Sequence, residues 1–431
     1  MTTAPHRPPT APELPHWETM PHDLSAAIRE IKPALRARIE SSGRTVDEVF
    51  AVVERRIAAR IAEIKADRER GDSVWPIIDY SDIANDTVGA DQLDKVTRRG
   101  CLIVRGHFDR EQAESWDADI VDYVERNEFF ENYTGPIDDF FGTVGSKPEI
   151  YPIYWSPAQM QARQSDRMAR VQSFLNSFWN HQSDGVQWFD PDRDALYPDR
   201  IRRRPPGADS AGLGTHCDPG NLDLWMTQGY QQAFRHLFDG TIEQYDPWDA
   251  AHRTDGNQYP GDTMCSAFRT FQGWTALSDM DHDQGVLHTV PIPEAMAFLM
   301  LRPLLSDVPD DEMCGVTTNQ VFPADHKWHS ELLEALTGIP DVKAGDSVWW
   351  HCDMIHSVAP VAEQKGWGNV MYIPAAPWCP RNENYAASVR EAFLAGNSPS
   401  DFPAEHYERN WNGRFTVDQL NETGRRGLGF E

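Results

Sequence analysis

Gly345-Asp-Ser-Val-Trp-Trp-His-Cys-Asp-Met-Ile-His356 is the stretch whose reading decides the fold. A Gly-Asp turn opens it, the apolar run Asp346–Trp350 reads as a buried strand, and a second turn carries the chain to His356. Within it, His351-Cys-Asp353 is a His-x-Asp tripeptide. On a strand the side-chain period of two puts such a His and Asp on one face. The tripeptide occurs three times, as His107-Phe-Asp109, His216-Cys-Asp218 and His351-Cys-Asp353. Joined by a distant histidine, one such pair makes a 2-His-1-carboxylate triad that holds Fe(II) on one side and leaves positions open. Context separates the three. Asp109 is better used to cap the helix that follows it. His216-Cys-Asp218 follows the Gly-rich lead Gly212-Leu-Gly-Thr215 and precedes Pro219-Gly220, which marks a strand end at the rim of a β core. From spacing alone, His216 is equally well a surface-loop histidine.

Working outward from this stretch, β-type runs recur after Pro205-Pro-Gly207: Ala267–Ser278, Gly285–Val290, Ala297–Leu301, Asp346–Trp350 and Val370–Ala375. Gly, Pro and Asp turns separate them, a pattern that points to a sandwich, barrel or jelly roll. A helical stretch near Trp328–Leu336 interrupts them. Upstream, helical patterns cover Leu24–Glu40 and Val46–Arg70; the second opens on the capping box Thr45-x-x-Glu48 and ends at Gly71. Trp75–Tyr80 reads as a short strand, Ala90–Arg99 as a helix and Cys101–Arg105 as a buried strand. Further helices are expected from Asp109 to about Phe130 and from Pro157 to about Gln182. The expected organisation is a flexible Pro-rich arm (1–22), a helical N-terminal region contributing strands to the core (23–200), a β core (201–380) and a helical C-terminal extension (381–431).

Composition narrows the function classes. The 431 residues carry 67 acidic and 40 basic side chains, a net charge of −27. That surplus argues against nucleic-acid binding, which depends on Lys and Arg neutralising phosphates, and reads as a solvated acidic surface. The six cysteines are widely spaced and form no CxxC, so neither a disulfide framework nor a zinc ribbon is expected, and reduced thiols in a cytoplasmic protein fit best. The N-terminus has no apolar core of a signal peptide, and no run of about 18 apolar residues would cross a membrane. Phosphate loops, dinucleotide fingerprints, HExxH and GxSxG are absent from the sequence.

His216-Cys-Asp218 followed by Gly345–His356 resembles the two metal motifs of Fe(II)/2-oxoglutarate-dependent oxygenases. Phe271–Ser278 through Gln284–His288 is similar to central strands of their phytanoyl-hydroxylase branch, as is Trp75–Tyr80 followed by Arg99–Gly106. Longer stretches resemble the YbiU-like domain-of-unknown-function family within that superfamily. They are Pro148–Trp155, Tyr197–Gly207, Tyr245-Asp-Pro-Trp248 and Gly366–Ala376. The resemblance implies an α+β fold with a double-stranded β-helix (jelly-roll) core framed by N-terminal helices and a C-terminal helical extension. It implies that His216, Asp218 and His356 bind Fe(II), that 2-oxoglutarate and O2 take the open positions, and that a C–H bond is oxidised with succinate and CO2 as coproducts.

One departure from the superfamily pattern concerns the cosubstrate. Many members place an arginine roughly ten residues after the distal histidine to pair with the far carboxylate of 2-oxoglutarate. Here Lys365-Gly-Trp-Gly-Asn369 occupies that region. Arg269, on a strand with Gln272 and Trp274, is the better-placed substitute, because a buried guanidinium suits bidentate carboxylate pairing; Arg302 and Lys365 follow. Trp274, Trp349 and Trp350 read as core, with a pocket-lining role as the alternative for one of them, Cys217 and Cys352 as facing away from the ligands, and Arg202-Arg-Arg204 as a solvated basic run, with attraction of an anionic substrate as its alternative. The rival reading is a metal-binding jelly roll without oxygen activation, a ligand-binding protein or zinc-dependent hydrolase. The expected substrate is a small molecule, such as an amino acid or specialised metabolite.

Overall fold

The computed structural model describes residues 12–135, 148–219, 221–256, 258–259, 265–318 and 320–430. Two helices, Leu24–Glu40 and Val46–Arg70, have the bounds the periodicity implies. The Thr45 hydroxyl accepts from the Glu48 N–H at 3.2 Å while the Glu48 carboxylate accepts from the Thr45 N–H at 2.8 Å. Gly71 ends the second helix at φ +75°, a conformation that glycine adopts without strain. The buried stripe Val49, Val53, Ile57, Ile61 and Ile64 turns inward.

Two larger sheets, with two small two-stranded ones beside them, make up the β part of the described residues. The seven-stranded sheet runs Ile77–Asp79, Cys101–Arg105, Ser347–His351, Phe271–Ala276, Gly368–Tyr372, Ile201–Arg204 and Ile150–Tyr151. The five-stranded sheet runs Phe322–Pro323, Leu213–Cys217, His356–Val358, Leu287–Thr289 and Thr337–Gly338. Val348, Trp350, Trp274 and Val370 of the larger sheet pack in one apolar cluster with Leu287 of the smaller one, so these two faces meet. Alternation sends Leu102, Val104, Trp349, Phe271 and Met371 to the other face. There they pack with residues of the Arg110–Arg126, Pro157–Arg163 and Asp166–Asn176 helices. The two N-terminal helices share a cluster with Cys217, Phe322 and Ile355, on the smaller sheet's side. The fold is α+β, with sheets between helical layers.

Several expectations need correction. Ala295–Leu301 is a fully buried helix, not a strand. A short all-apolar run cannot be typed by periodicity, and its Ala, Met and Leu residues favour helix over the β-branched preference of strands. The helix begun at Pro157 stops at Arg163, and Ser165 caps a second one ending at Asn176. Asp109 occupies an N-cap position but its side chain makes no cap bond, and that helix ends at Arg126. Arg202, Arg203 and Arg204 are all buried, contrary to a solvated run. They form a strand, and Asp117 and Glu149 pair with the last two. Of the arm expected over 1–22, residues 1–11 lie outside the described residues. From Pro12 the chain lies against the body, with Leu14 buried and the Trp17 N–H bonded to the Met226 carbonyl at 2.8 Å.

Candidate metal centre

His216 and His356 stand directly opposite each other on adjacent antiparallel strands, with ring centroids 4.3 Å apart. The Leu213–Cys217 strand is held in register at its start by Gly212, at φ +72° with the Val358 carbonyl oxygen only 2.2 Å from where a Cβ would lie. Just past the strand end, Asp218 turns its Oδ1 to 3.3 Å from His216 Nε2 and 3.6 Å from His356 Nε2. The ligand atoms of the three residues all lie within 4.8 Å of one another.

The imidazole orientations suit a metal. His216 Nδ1 lies 2.6 Å from the Gly214 carbonyl oxygen, and His356 Nδ1 lies 3.0 Å from that of Met354. A carbonyl accepts only, so each Nδ1 carries a proton and each Nε2 is the ring atom turned toward Asp218. Outer hydrogen bonds of this kind fix the tautomer of metal-ligating histidines. Burial, with His216 alongside, lowers the His356 pKa to about 4, so that ring is neutral at neutral pH. Burial alone would raise the Asp218 carboxyl; His356, His216 and Arg269 outweigh it and hold it well below the usual range. At His216, burial works against the bond to Asp218, which raises that pKa; two imidazole nitrogens and one carboxylate fit a divalent first-row metal.

A cavity of about 190 Å³ opens beside this triad, between the two sheets. Trp350, whose ring centroid is 5.5 Å from that of His356, lines it together with Trp274, Tyr372, Leu287 and Val358. Trp274 and Trp350 therefore serve the cavity, while Trp349 is core on the opposite face. Tyr197, Asp199 and Arg200, with Asp401 and Phe402 from the C-terminal extension, form another part of the wall.

The other candidates divide. Arg269 and Gln272 both line the cavity. Arg269 Nη2 is 3.7 Å from Asp218 Oδ2, and Gln272 Nε2 donates to the Cys352 carbonyl at 3.4 Å. Arg302 and Lys365 do not reach it. Arg302 pairs through both terminal nitrogens with Asp307 at 2.8 and 2.7 Å, a partner only five residues on. Lys365 is exposed and bonded to Asp283 at 2.6 Å. Of the remaining His-x-Asp pairs, His351 and Asp353 with Cys352 also hold their ligand atoms within 4.8 Å of one another, but both pairs are engaged in other contacts. His107 is buried with Nδ1 2.8 Å from Ser347 Oγ, and Asp353 pairs with buried Arg253 at 2.7 Å. Cys217 points away from the triad, its thiol donating to the Asp353 carbonyl at 3.1 Å. Sequence reasoning missed Arg202 and Tyr372 as lining residues. The period-two spacing of Arg200, Arg202 and Arg204 carried a signal that they share one strand face.

A family model described as Gig2-like matches residues 22–430. The chain belongs to the Gig2-like family. This Gig2-like chain is 57% identical over 417 residues to the uncharacterized protein YbiU of Escherichia coli K12, covering 96% of its own length and 98% of the relative's. A crystal structure from Salmonella typhimurium LT2, named "Putative Oxidoreductase", is 56% identical, with a TM-score of 0.92 over 96% of this chain and 99% of that one. GlcNAc Inducible Gene 2 of Candida albicans (DUF1479) shares the fold at 24% identity and a TM-score of 0.75, covering 97% and 91%. Among the described residues, no helix is long and apolar enough to cross a membrane.

Proposed function

We propose that this Gig2-like protein is a non-haem Fe(II)/2-oxoglutarate-dependent oxygenase that oxidises a C–H bond of a small molecule, by hydroxylation, desaturation or cyclisation. The observation that carries the reading is the triad itself: His216, Asp218 and His356 converge beside a cavity, with both Nδ1 protons committed to carbonyls. Strand order supports it as well. Ile201–Arg204, Gly368–Tyr372, Phe271–Ala276 and Ser347–His351 are neighbours in one sheet, and Leu213–Cys217, His356–Val358, Leu287–Thr289 and Thr337–Gly338 in the other. This interleaving is what a double-stranded β-helix requires. The oxidoreductase name of the Salmonella relative points the same way.

His216, Asp218 and His356 would hold the iron, whose chemistry when bound is O2 activation coupled to decarboxylation of 2-oxoglutarate to succinate and CO2. The protein's own contribution is positional. Gly214 and Met354 fix the imidazoles, Arg269 steadies the Asp218 carboxylate, and the Trp274 and Trp350 rings keep water from the cavity wall. The Tyr197–Arg200 segment and the Asp401–Phe402 rim are left for the primary substrate, a small molecule, and a cytoplasmic setting agrees with six buried free cysteines. Anaerobic addition of Fe(II) and then 2-oxoglutarate is expected to produce a visible charge-transfer band, and air to release succinate in step with O2 uptake. A protein that binds metal yet gives neither signal is not this oxygenase, and hydrolysis by the zinc form would establish the rival reading.

A further inference from the structure

Arg202, Arg203 and Arg204 follow one another on a single strand, yet among the described residues only two of them find a carboxylate. Arg203 grips Asp117 through Nε and Nη2 at 3.1 and 3.0 Å. Arg204 grips Glu149 the same way at 2.5 and 3.3 Å. Arg202 is 7% exposed and lines the cavity. Among the described residues its Nε has no hydrogen-bond partner, and its Nη2 meets only the Met280 sulfur at 3.8 Å. Burial depresses its pKa, with Tyr372 and Glu149 opposing and Arg204 reinforcing the effect. A buried guanidinium without a counter-charge costs several kcal/mol. The arrangement makes sense where a ligand brings that counter-charge.

The strand register places Arg202 on the cavity wall that begins at the triad. Trp350 stands near His356 and opposite Gln272. Trp274, two residues along, is opposite Tyr372. Arg202 follows on the next strand, opposite Val370. Arg269 is less suited to a ligand carboxylate, since Asp218 already occupies its charge at 3.7 Å. Resting on the oxygenase reading above, we propose that Arg202 anchors the far carboxylate of a dicarboxylic 2-oxoacid cosubstrate whose keto-acid end faces His216, Asp218 and His356. The cation missing from Lys365–Asn369 thus comes from the neighbouring strand. A guanidinium fork matches a carboxylate bidentately, which an exposed lysine does not.

Calorimetric titration of the full chain, loaded anaerobically with Fe(II), tests this directly. The two probes are 2-oxoglutarate and 2-oxopentanoate, which has the same carbon chain without the far carboxylate. Arg202→Met is expected to weaken 2-oxoglutarate by about 100-fold and leave 2-oxopentanoate unchanged. Arg202→Lys keeps the charge and should retain part of the preference; it supplies the same ratio if the methionine variant does not fold. Arg269→Met should shift both acids alike, because it acts through Asp218. An unchanged preference for 2-oxoglutarate in both Arg202 variants overturns the anchor and leaves the oxygenase reading standing. A wild-type protein that binds iron but not 2-oxoglutarate overturns both.

Discussion

His216 and His356 are useful for the nitrogen each leaves free. With Nδ1 donating to Gly214 and Met354, the two Nε2 atoms and Asp218 Oδ1 already converge. Replacing His216 by Ala removes a third of the donor set, so iron affinity is expected to fall at least about 100-fold. Metal content after dialysis, with thermal unfolding as a folding control, checks this; full iron content in the variant would exclude His216 as a ligand. These residues could be picked out of the sequence because their signals are local, a His-x-Asp at a strand end and a Gly-Asp strand leading to a histidine. Among the cavity cations Arg269 could, and Arg202 could not. Arg302 is taken by Asp307 and Lys365 by Asp283, and Arg202 is buried at the cavity instead of solvated, because which strand face meets the cavity depends on cross-strand register.

At the scale of elements, the proposed metal centre depends on two short strands whose alignment is irregular: the register shifts between His356 and Val358 where they meet Leu213–Cys217. Gly212 makes this possible. Its φ of +72° is strained for any L side chain, and a Cβ there would meet the Val358 oxygen at 2.2 Å. Gly212→Ala is therefore expected to cost at least about 2 kcal/mol and to slide His216 away from His356. Chemical denaturation gives the first effect and metal titration the second; a variant with native stability and native iron affinity contradicts this account. The helices with clear caps, Leu24–Glu40, Val46–Arg70 and Ala90–Arg99, have the bounds their sequence implies. Ala295–Leu301 did not, since burial on all sides erases the amphipathic period that distinguishes helix from strand.

Across the whole molecule, one of the ties between the C-terminal extension and the rest is a buried carboxylate. Glu408, 2% exposed, accepts from the Tyr154 N–H at 2.5 Å, the Trp155 N–H at 3.0 Å and the Tyr123 hydroxyl at 2.8 Å. It thereby joins the extension, whose Asp401 and Phe402 line the cavity, to the Arg110–Arg126 helix and the segment before Pro157. Burial pushes its pKa up from 4.5 to about 7, against the lowering effect of those hydrogen bonds and of Arg163. A carboxyl raised in the folded state stabilises most below its unfolded pKa, and this contribution is lost as pH climbs through about 7. The span corresponds to about 3 kcal/mol. Buried neutral histidines such as His107 and His351, with pKa values lowered to about 3 and about 4 mainly by burial, act in the opposite sense on the acid side. The wild-type curve alone therefore mixes both effects, and a difference curve isolates one. Glu408→Gln keeps the shape and the neutral form, with the Tyr123 hydroxyl free to turn and accept. Wild type and variant are expected to match below about pH 4, and the variant to be more stable by up to about 3 kcal/mol at pH 8. Denaturation midpoints across that range provide the measurement, and a gap that does not change with pH would mean that Glu408 stays charged throughout.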